Sequence, residues 1–260
     1  MFKSKLSAAS FVRKSKLIVG LDLTATMSTT PMDNRAELDR MEREALRIIT
    51  QTADYAVAYK FNHHILLPLG LFDRIPRLLK AVHDQGLLAI MDAKVNDIGD
   101  TNEWIARYYF DAGFDALIVN PLVGWEGGLQ PVFEMARNRG RGIIMLCYMS
   151  HPGASQGYGL TVATDEKMKH HEPLYATFAR RAKAWEADGV IVGATYPDKI
   201  REVKRILGDA VPIMSPGVGA QGGSAREAIQ AGASYVIAVR SVINAPDPAA
   251  TARALVEETR

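Results

Sequence analysis

Eight short apolar runs, spaced along the whole chain and each followed by a polar or glycine-rich junction and a stretch of helical period, constrain this sequence most. They are KLIVGLDL (Lys16 to Leu23), YAVAYKF (Tyr55 to Phe61), LLAIMDAK (Leu87 to Lys94), DALIVN (Asp115 to Asn120), GIIMLCYM (Gly142 to Met149), GVIVG (Gly189 to Gly193), VPIMS (Val211 to Ser215) and YVIAV (Tyr235 to Val239). Most are apolar at successive positions, as strands buried on both faces of a parallel sheet are. Helical segments are read between them at Arg35 to Thr50, Ile75 to Gln85, Thr101 to Ala112, Tyr175 to Ala187, Pro197 to Leu207, Ser224 to Ala231 and Pro248 to Glu258. This alternation fits an α/β closed (β/α)8 TIM barrel, with a doubly wound open sheet as the second arrangement of the same pattern. The 260 residues contain no proline- or serine-rich linker and no shift of composition, so one barrel domain over 1–260 is expected, with an extra N-terminal helix.

Composition narrows the function classes. A formal net charge of +2 is too small to imply nucleic acid as a partner. The basic residues near the start (Lys3, Lys5, Arg13, Lys14, Lys16) read as a solvated first helix. No secretory signal pattern is present and no run approaches the ~18 apolar residues of a membrane span, so a soluble cytoplasmic protein is expected. A single cysteine, Cys147, excludes an internal disulfide and sits in an apolar run as a buried filler.

In a (β/α)8 barrel the active site lies at the C-terminal ends of the strands. The chemistry-bearing residues at those ends are Asp22, Lys60, Asp92, Lys94, Ser150, His151, the stretch Gly217 to Gly223, and Arg240. Alternation along a strand puts Asp92 and Lys94 on one face with Ile90. Carboxylates and ammoniums in contact hold each other ionised, which keeps a lysine protonated and aimed; a structural salt-bridge network at the rim is the other reading of this spacing. SPGVGAQGG (Ser215 to Gly223) joins a strand to a helix and suits an anion, with Arg240 as a second clamp. Its Gly217, Gly219 and Gly222 also satisfy G-x-G-x-x-G, but in the seventh unit and without the acidic residue of a dinucleotide site. His63, His64, His170 and His171 lack a metal-ligand spacing and read as solvated. Ser150 with His151 does not make a nucleophile and base, because adjacent residues diverge. The irregular stretch Gly153 to Glu172 is long enough to be a ligand-covering loop.

These motifs, taken in order, resemble the orotidine 5′-monophosphate decarboxylase family. GLDLT (Gly20 to Thr24), YKFN (Tyr59 to Asn62), DAKVNDIGDT (Asp92 to Thr101), MSHPGA (Met149 to Ala154), VGATYPDKI (Val192 to Ile200), SPGVGAQGG and VRS (Val239 to Ser241) carry the resemblance over nearly the whole chain. It implies a cofactor-free decarboxylation of the orotate ring of a nucleotide, giving uridine monophosphate, with no metal. It also implies Lys94 as proton donor to C6, Asp92 against the leaving carboxylate, and Asp22 and Lys60 on the ribose hydroxyls. Ser150 and Pro216 would adjoin the pyrimidine, and Gln221 and Arg240, beside Gly217, would hold the phosphate. Asp97, Ile98 and Thr101 would reach the partner's site in a homodimer. Val239 departs from the pattern, since glycine is common before the phosphate-binding arginine.

Two alternatives stand beside this reading. A magnesium-dependent sugar-phosphate enzyme of the same barrel group shares D-x-K-x-x-D, but would need an acidic residue where Lys60 stands. A catalytically silent phosphate-binding barrel would gain little from Asp92.

Overall fold

Each of the eight apolar runs forms a strand, and the strands close on themselves. In this computed structural model, which describes residues 1–29, 31–165 and 167–260, they are β1 (Leu17–Gly20), β2 (Ala56–Phe61), β3 (Leu88–Val95), β4 (Ala116–Val119), β5 (Gly142–Tyr148), β8 (Gly189–Val192), β9 (Ile213–Pro216) and β10 (Tyr235–Ala238). Their order around the closed barrel is β1-β10-β9-β8-β5-β4-β3-β2, and every neighbouring pair is parallel. The open-sheet arrangement is thereby set aside.

The remaining strands, β6 (Thr161–Ala163) and β7 (His171–Pro173), pair antiparallel with each other outside the barrel. They revise the expectation for Gly153 to Glu172, which is not irregular throughout. That stretch contains a short helix (Ala154–Gly157) and most of this hairpin; Glu166 lies outside the described residues. Three-residue strands that face no core carry no apolar alternation, so sequence periodicity misses them.

Two apolar layers follow from strand alternation. Ile18, Ala58, Ile90, Ile118, Leu146, Ile191, Met214 and Ile237 fill the barrel, while Val19, Tyr59, Met91, Leu117, Cys147, Val190 and Val236 pack outward under the helices. The N-terminal helix α1 (Phe2–Arg13) closes the N-terminal end of the barrel with Phe2 and Leu6, both 1% exposed. It lies so close to β5 that a side chain on Gly142 would meet the Phe2 ring at 2.5 Å. The basic residues near the start are partly spent on the chain itself: Lys3 and Arg13 of this helix donate to the Ala210 carbonyl and to Asp54 and Gln85, and Lys16 after it to the Thr259 carbonyl. With that end sealed, the C-terminal mouth is where a ligand can enter.

Candidate active site

The mouth of the barrel encloses a cavity of about 160 Å³. Its lining divides by chemistry. Asp22, Lys60, Asp92 and Lys94 form a charged wall from β1, β2 and β3, while Ile118, Leu146, Met149, Ile191 and Ile237 make an apolar floor from the opposite strands. Ser150, Pro216, Gln221 and Val239 complete the rim.

Within the charged wall, carboxylates and ammoniums alternate. Lys60 Nζ lies 3.0 Å from Asp22 Oδ1 and 3.1 Å from Asp92 Oδ2, and Lys94 Nζ donates to Asp92 Oδ1 at 2.6 Å. Lys60 is 4% exposed. Burial alone would push its ammonium towards neutrality, but Asp92 and Asp22 outweigh that and hold its pKa above the ordinary lysine value. Burial likewise favours the protonated form of Asp92, and the two lysines outweigh it, so Asp92 stays ionised below the usual carboxylate range. Both groups therefore carry full charge at neutral pH in a site largely shielded from water.

Lys94 is placed by more than alternation. The β3–β4 register shifts between Met91 and Val95, and Lys94 itself has φ +50°. A left-handed backbone at a lysine costs on the order of 1–3 kcal/mol and persists only where the surroundings impose it, typically at a functional site. Its ammonium, with the side chain 38% exposed, faces the cavity and Asp92.

The glycines of the β9 loop act differently from the expected row of anion-binding amides. Gly219 and Gly222 donate to the Gly223 and Gly219 carbonyls, and Gly223 donates to Gly217. The loop thus spends these amides on its own shape. What it offers the cavity is Gln221, whose Oε1 lies 2.8 Å from where a Gly217 Cβ would stand, with Ser150 Cβ 3.0 Å from the same point. Gly217, at φ +98°, is required both for this turn and for the close approach of those two side chains. Arg240 is exposed just outside the cavity lining, as the first residue of a short helix (Arg240–Ile243). Val239 is in the lining, its Cγ2 2.6 Å from where a Cβ on Gly20 would be, so its isopropyl group fills the seam between β10 and β1.

Asp97, Ile98 and Thr101 do not line this cavity. They are exposed on the outer rim at the start of helix α5 (Gly99–Ala112). The fully buried Asn102, which sequence reasoning overlooked, shapes that turn: its Oδ1 accepts from the Asp97 amide at 2.9 Å and its Nδ2 donates to the Asp97 and Gly128 carbonyls. The apolar floor was overlooked too, although inward alternation along β4, β5, β8 and β10 would have found it. His63, His64, His151, His170 and His171 are exposed, and among the described residues no group of three or more His, Cys, Asp or Glu could hold a metal ion. Cys147 is fully buried, and burial pushes its thiol far above the usual range, as suits a filler.

A family model described as "Orotidine 5'-phosphate decarboxylase / HUMPS family" matches residues 15–255. The chain belongs to this family. The orotidine 5'-phosphate decarboxylase of Pyrococcus abyssi is 37% identical over 220 residues, covering 84% of this chain and 94% of that protein. Among solved structures, the orotidine 5'-monophosphate decarboxylase of Methanocaldococcus jannaschii, complexed with the inhibitor BMP, aligns with a TM-score of 0.76 at 26% identity and covers 95% of this chain and 99% of that one. Leishmania donovani OMP decarboxylase aligns with a TM-score of 0.81 at 27% identity, covering 99% and 96%. The decarboxylase family's match thus spans the whole barrel and every residue of the cavity described above. Among the described residues no helix is long and apolar enough to cross a membrane.

Proposed function

We propose that this chain, as one barrel over its full length, converts orotidine 5′-monophosphate to uridine 5′-monophosphate as a cytoplasmic enzyme without metal or organic cofactor. The observation that carries the proposal is the alternating series Asp22, Lys60, Asp92, Lys94 facing an apolar floor in one cavity. The pyrimidine lies over the floor beside Ser150 and Pro216, with its 6-carboxylate against Asp92. Like charges held together by the rest of the bound nucleotide raise the ground state, and this repulsion disappears as carbon dioxide leaves. When the bond from C6 to the carboxylate breaks, the electron pair stays on C6. Lys94 donates a proton from Nζ to that carbon and becomes a neutral amine until solvent reprotonates it. A fixed ammonium beside the developing carbanion stabilises the transition state more than the substrate.

Asp22 and Lys60 bind the ribose hydroxyls, and Gln221, Gly217 and Arg240 hold the phosphate. The magnesium-dependent alternative is disfavoured because the Lys60 ammonium stands between the two carboxylates that a divalent cation would use. The deciding experiment follows the absorbance of orotidine 5′-monophosphate with EDTA-treated protein. Steady turnover is expected; no turnover would sink the reading, and turnover restored only by magnesium would favour a metal-dependent enzyme.

The site is completed in a homodimer. The helix that follows Asp97 exposes Trp104 and Tyr108, and Tyr108 packs edge-on against the exposed Phe72 and tilted against Trp104, while Leu67 and Ile98 are exposed as well. Such a cluster favours an interface. A second copy docked there brings Asp97, Ile98 and Thr101 to the partner's cavity. Trp104→Glu should give monomers in sedimentation and lower kcat/KM about tenfold or more through loss of those groups. A wild-type protein that is monomeric and active at micromolar concentration would refute the dimer.

A further inference from the structure

Ser150 stands where three loops meet, and its main chain is held more tightly than a rim residue requires. Gly193 approaches so closely that a Cβ on it would lie 2.6 Å from Ser150 Cα, and a Cβ on Gly217 would lie 3.0 Å from Ser150 Cβ. The turn after β8, Gly193 to Tyr196, then supplies two side-chain donors to consecutive carbonyls. Thr195 Oγ1 donates to the Ser150 carbonyl and the Tyr196 hydroxyl to the His151 carbonyl, each at 3.0 Å. The same turn is strapped to the barrel on both sides: the Gly193 amide donates to Tyr148 of β5 at 2.9 Å, and the Ala194 amide to Pro216 of β9 at 2.8 Å. The Tyr196 ring packs edge-on against Tyr148 with centroids 5.0 Å apart, and Tyr148 packs in turn on Tyr158, between the short helix Ala154–Gly157 and the β6–β7 hairpin, and on Tyr175, just after that hairpin.

From this arrangement we infer that Thr195 and Tyr196 are positioning residues for the reaction: they fix the Ser150–His151 main chain, so that the Ser150 side chain is aimed into the cavity and the stretch from Gly153 onward pivots on a rigid root. The inference rests on the decarboxylase reading given above. Neither residue lines the cavity, and each acts through Ser150 and His151. The two acceptors are peptide carbonyls where the chain leaves β5, beyond the last parallel ladder bond; the His151 carbonyl also accepts from the Ala154 amide at 3.1 Å, so Tyr196 gives it a second donor that ties the start of this stretch to the β8 turn. Side-chain hydroxyls from a rigid turn add the long-range hold on this segment, and a small loss of orientation at a reacting ring is expensive.

Three variants test this. Thr195→Val keeps the shape of the side chain and removes the donor, Thr195→Ser keeps the donor, and Tyr196→Phe removes only the hydroxyl. Thr195→Val and Tyr196→Phe should each lower kcat/KM for orotidine 5′-monophosphate about tenfold or more, while Thr195→Ser stays within about threefold of wild type. Amide exchange over residues 150–160 should quicken in Thr195→Val and Tyr196→Phe and not in Thr195→Ser, with global melting little changed. A merely structural role would move the melting temperature and leave kcat/KM per folded molecule unaltered. Wild-type kcat/KM in Tyr196→Phe, or an equal loss in Thr195→Ser and Thr195→Val, would overturn the inference; the Tyr196→Phe arm decides the matter if Thr195→Val does not fold. If the wild type does not turn over this substrate, the decarboxylase reading fails instead, and unchanged exchange over residues 150–160 would then overturn the anchoring itself.

Discussion

Lys94→Ala is expected to bind uridine 5′-monophosphate within a few-fold of wild type while its turnover falls on the order of 10⁴-fold or more. Two separate losses combine in that figure: a positioned proton donor contributes about 10²–10⁴, and a fixed charge beside the developing carbanion about 10²–10³. Binding survives because the ribose and phosphate contacts proposed above lie elsewhere, on Asp22, Lys60, Gln221 and Arg240, and because removing Lys94 does not strand a charge. Asp92 keeps Lys60 at 3.1 Å. Folding is also spared a new penalty, since alanine meets the same left-handed backbone cost at φ +50° that lysine already meets. Single-turnover kinetics at high enzyme concentration together with calorimetry for the nucleotide separate the two quantities. Activity within tenfold of wild type would remove Lys94 from the chemistry, and loss of nucleotide binding would show that its role is in the ground state.

The parts of this site that could be read from sequence are those a strand imposes. Asp92 and Lys94 had to share a direction with Ile90 once LLAIMDAK was a strand, and the structure puts Leu88 and Ile90 inside the barrel below them. Helices opened by a proline, Pro197–Leu207 and Pro248–Glu258, were bounded correctly, because proline suits the first helical turn and little else nearby competes. The helix Gln130–Asn138 went unread behind the glycine-containing WEGGL turn, where the apolar period is interrupted. Other features have no sequence signature at all. The kink at Lys94, the amides that the β9 loop spends on itself, and the hydroxyls of Thr195 and Tyr196 on carbonyls 45 residues away are tertiary facts. Asp97 shows the limit most clearly, since nothing in its spacing from Lys94 says that it leaves the cavity of its own chain.

Lys60→Met should damage stability and turnover together, and its pH dependence tells the cause. Removing one partner from a buried ion pair costs about 3–5 kcal/mol, mainly because the remaining charge is left without compensation. In the wild type, Asp92 is held below its ordinary pKa, so its contribution is present above the unfolded carboxylate value of about 3.9 and is lost as pH falls through the folded value. Lys60 is held above its ordinary value, so its contribution is present below the unfolded value of about 10.4 and is lost as pH rises through the folded one. Stability from this network is therefore flat between about pH 5 and pH 9. In Lys60→Met the burial that favours neutral Asp92 is opposed by Lys94 alone, so the Asp92 pKa rises and the acid limb of the stability curve moves towards neutrality. Turnover should fall with it, because an Asp92 that binds a proton no longer repels the substrate carboxylate and no longer anchors Lys94 at 2.6 Å. Urea melts from pH 4 to 9, run beside kcat over the same range, measure both limbs. If Lys60→Met unfolds at the wild-type denaturant concentration at pH 5, the charged wall contributes nothing to the fold, and its alternation would have to be explained by substrate binding alone.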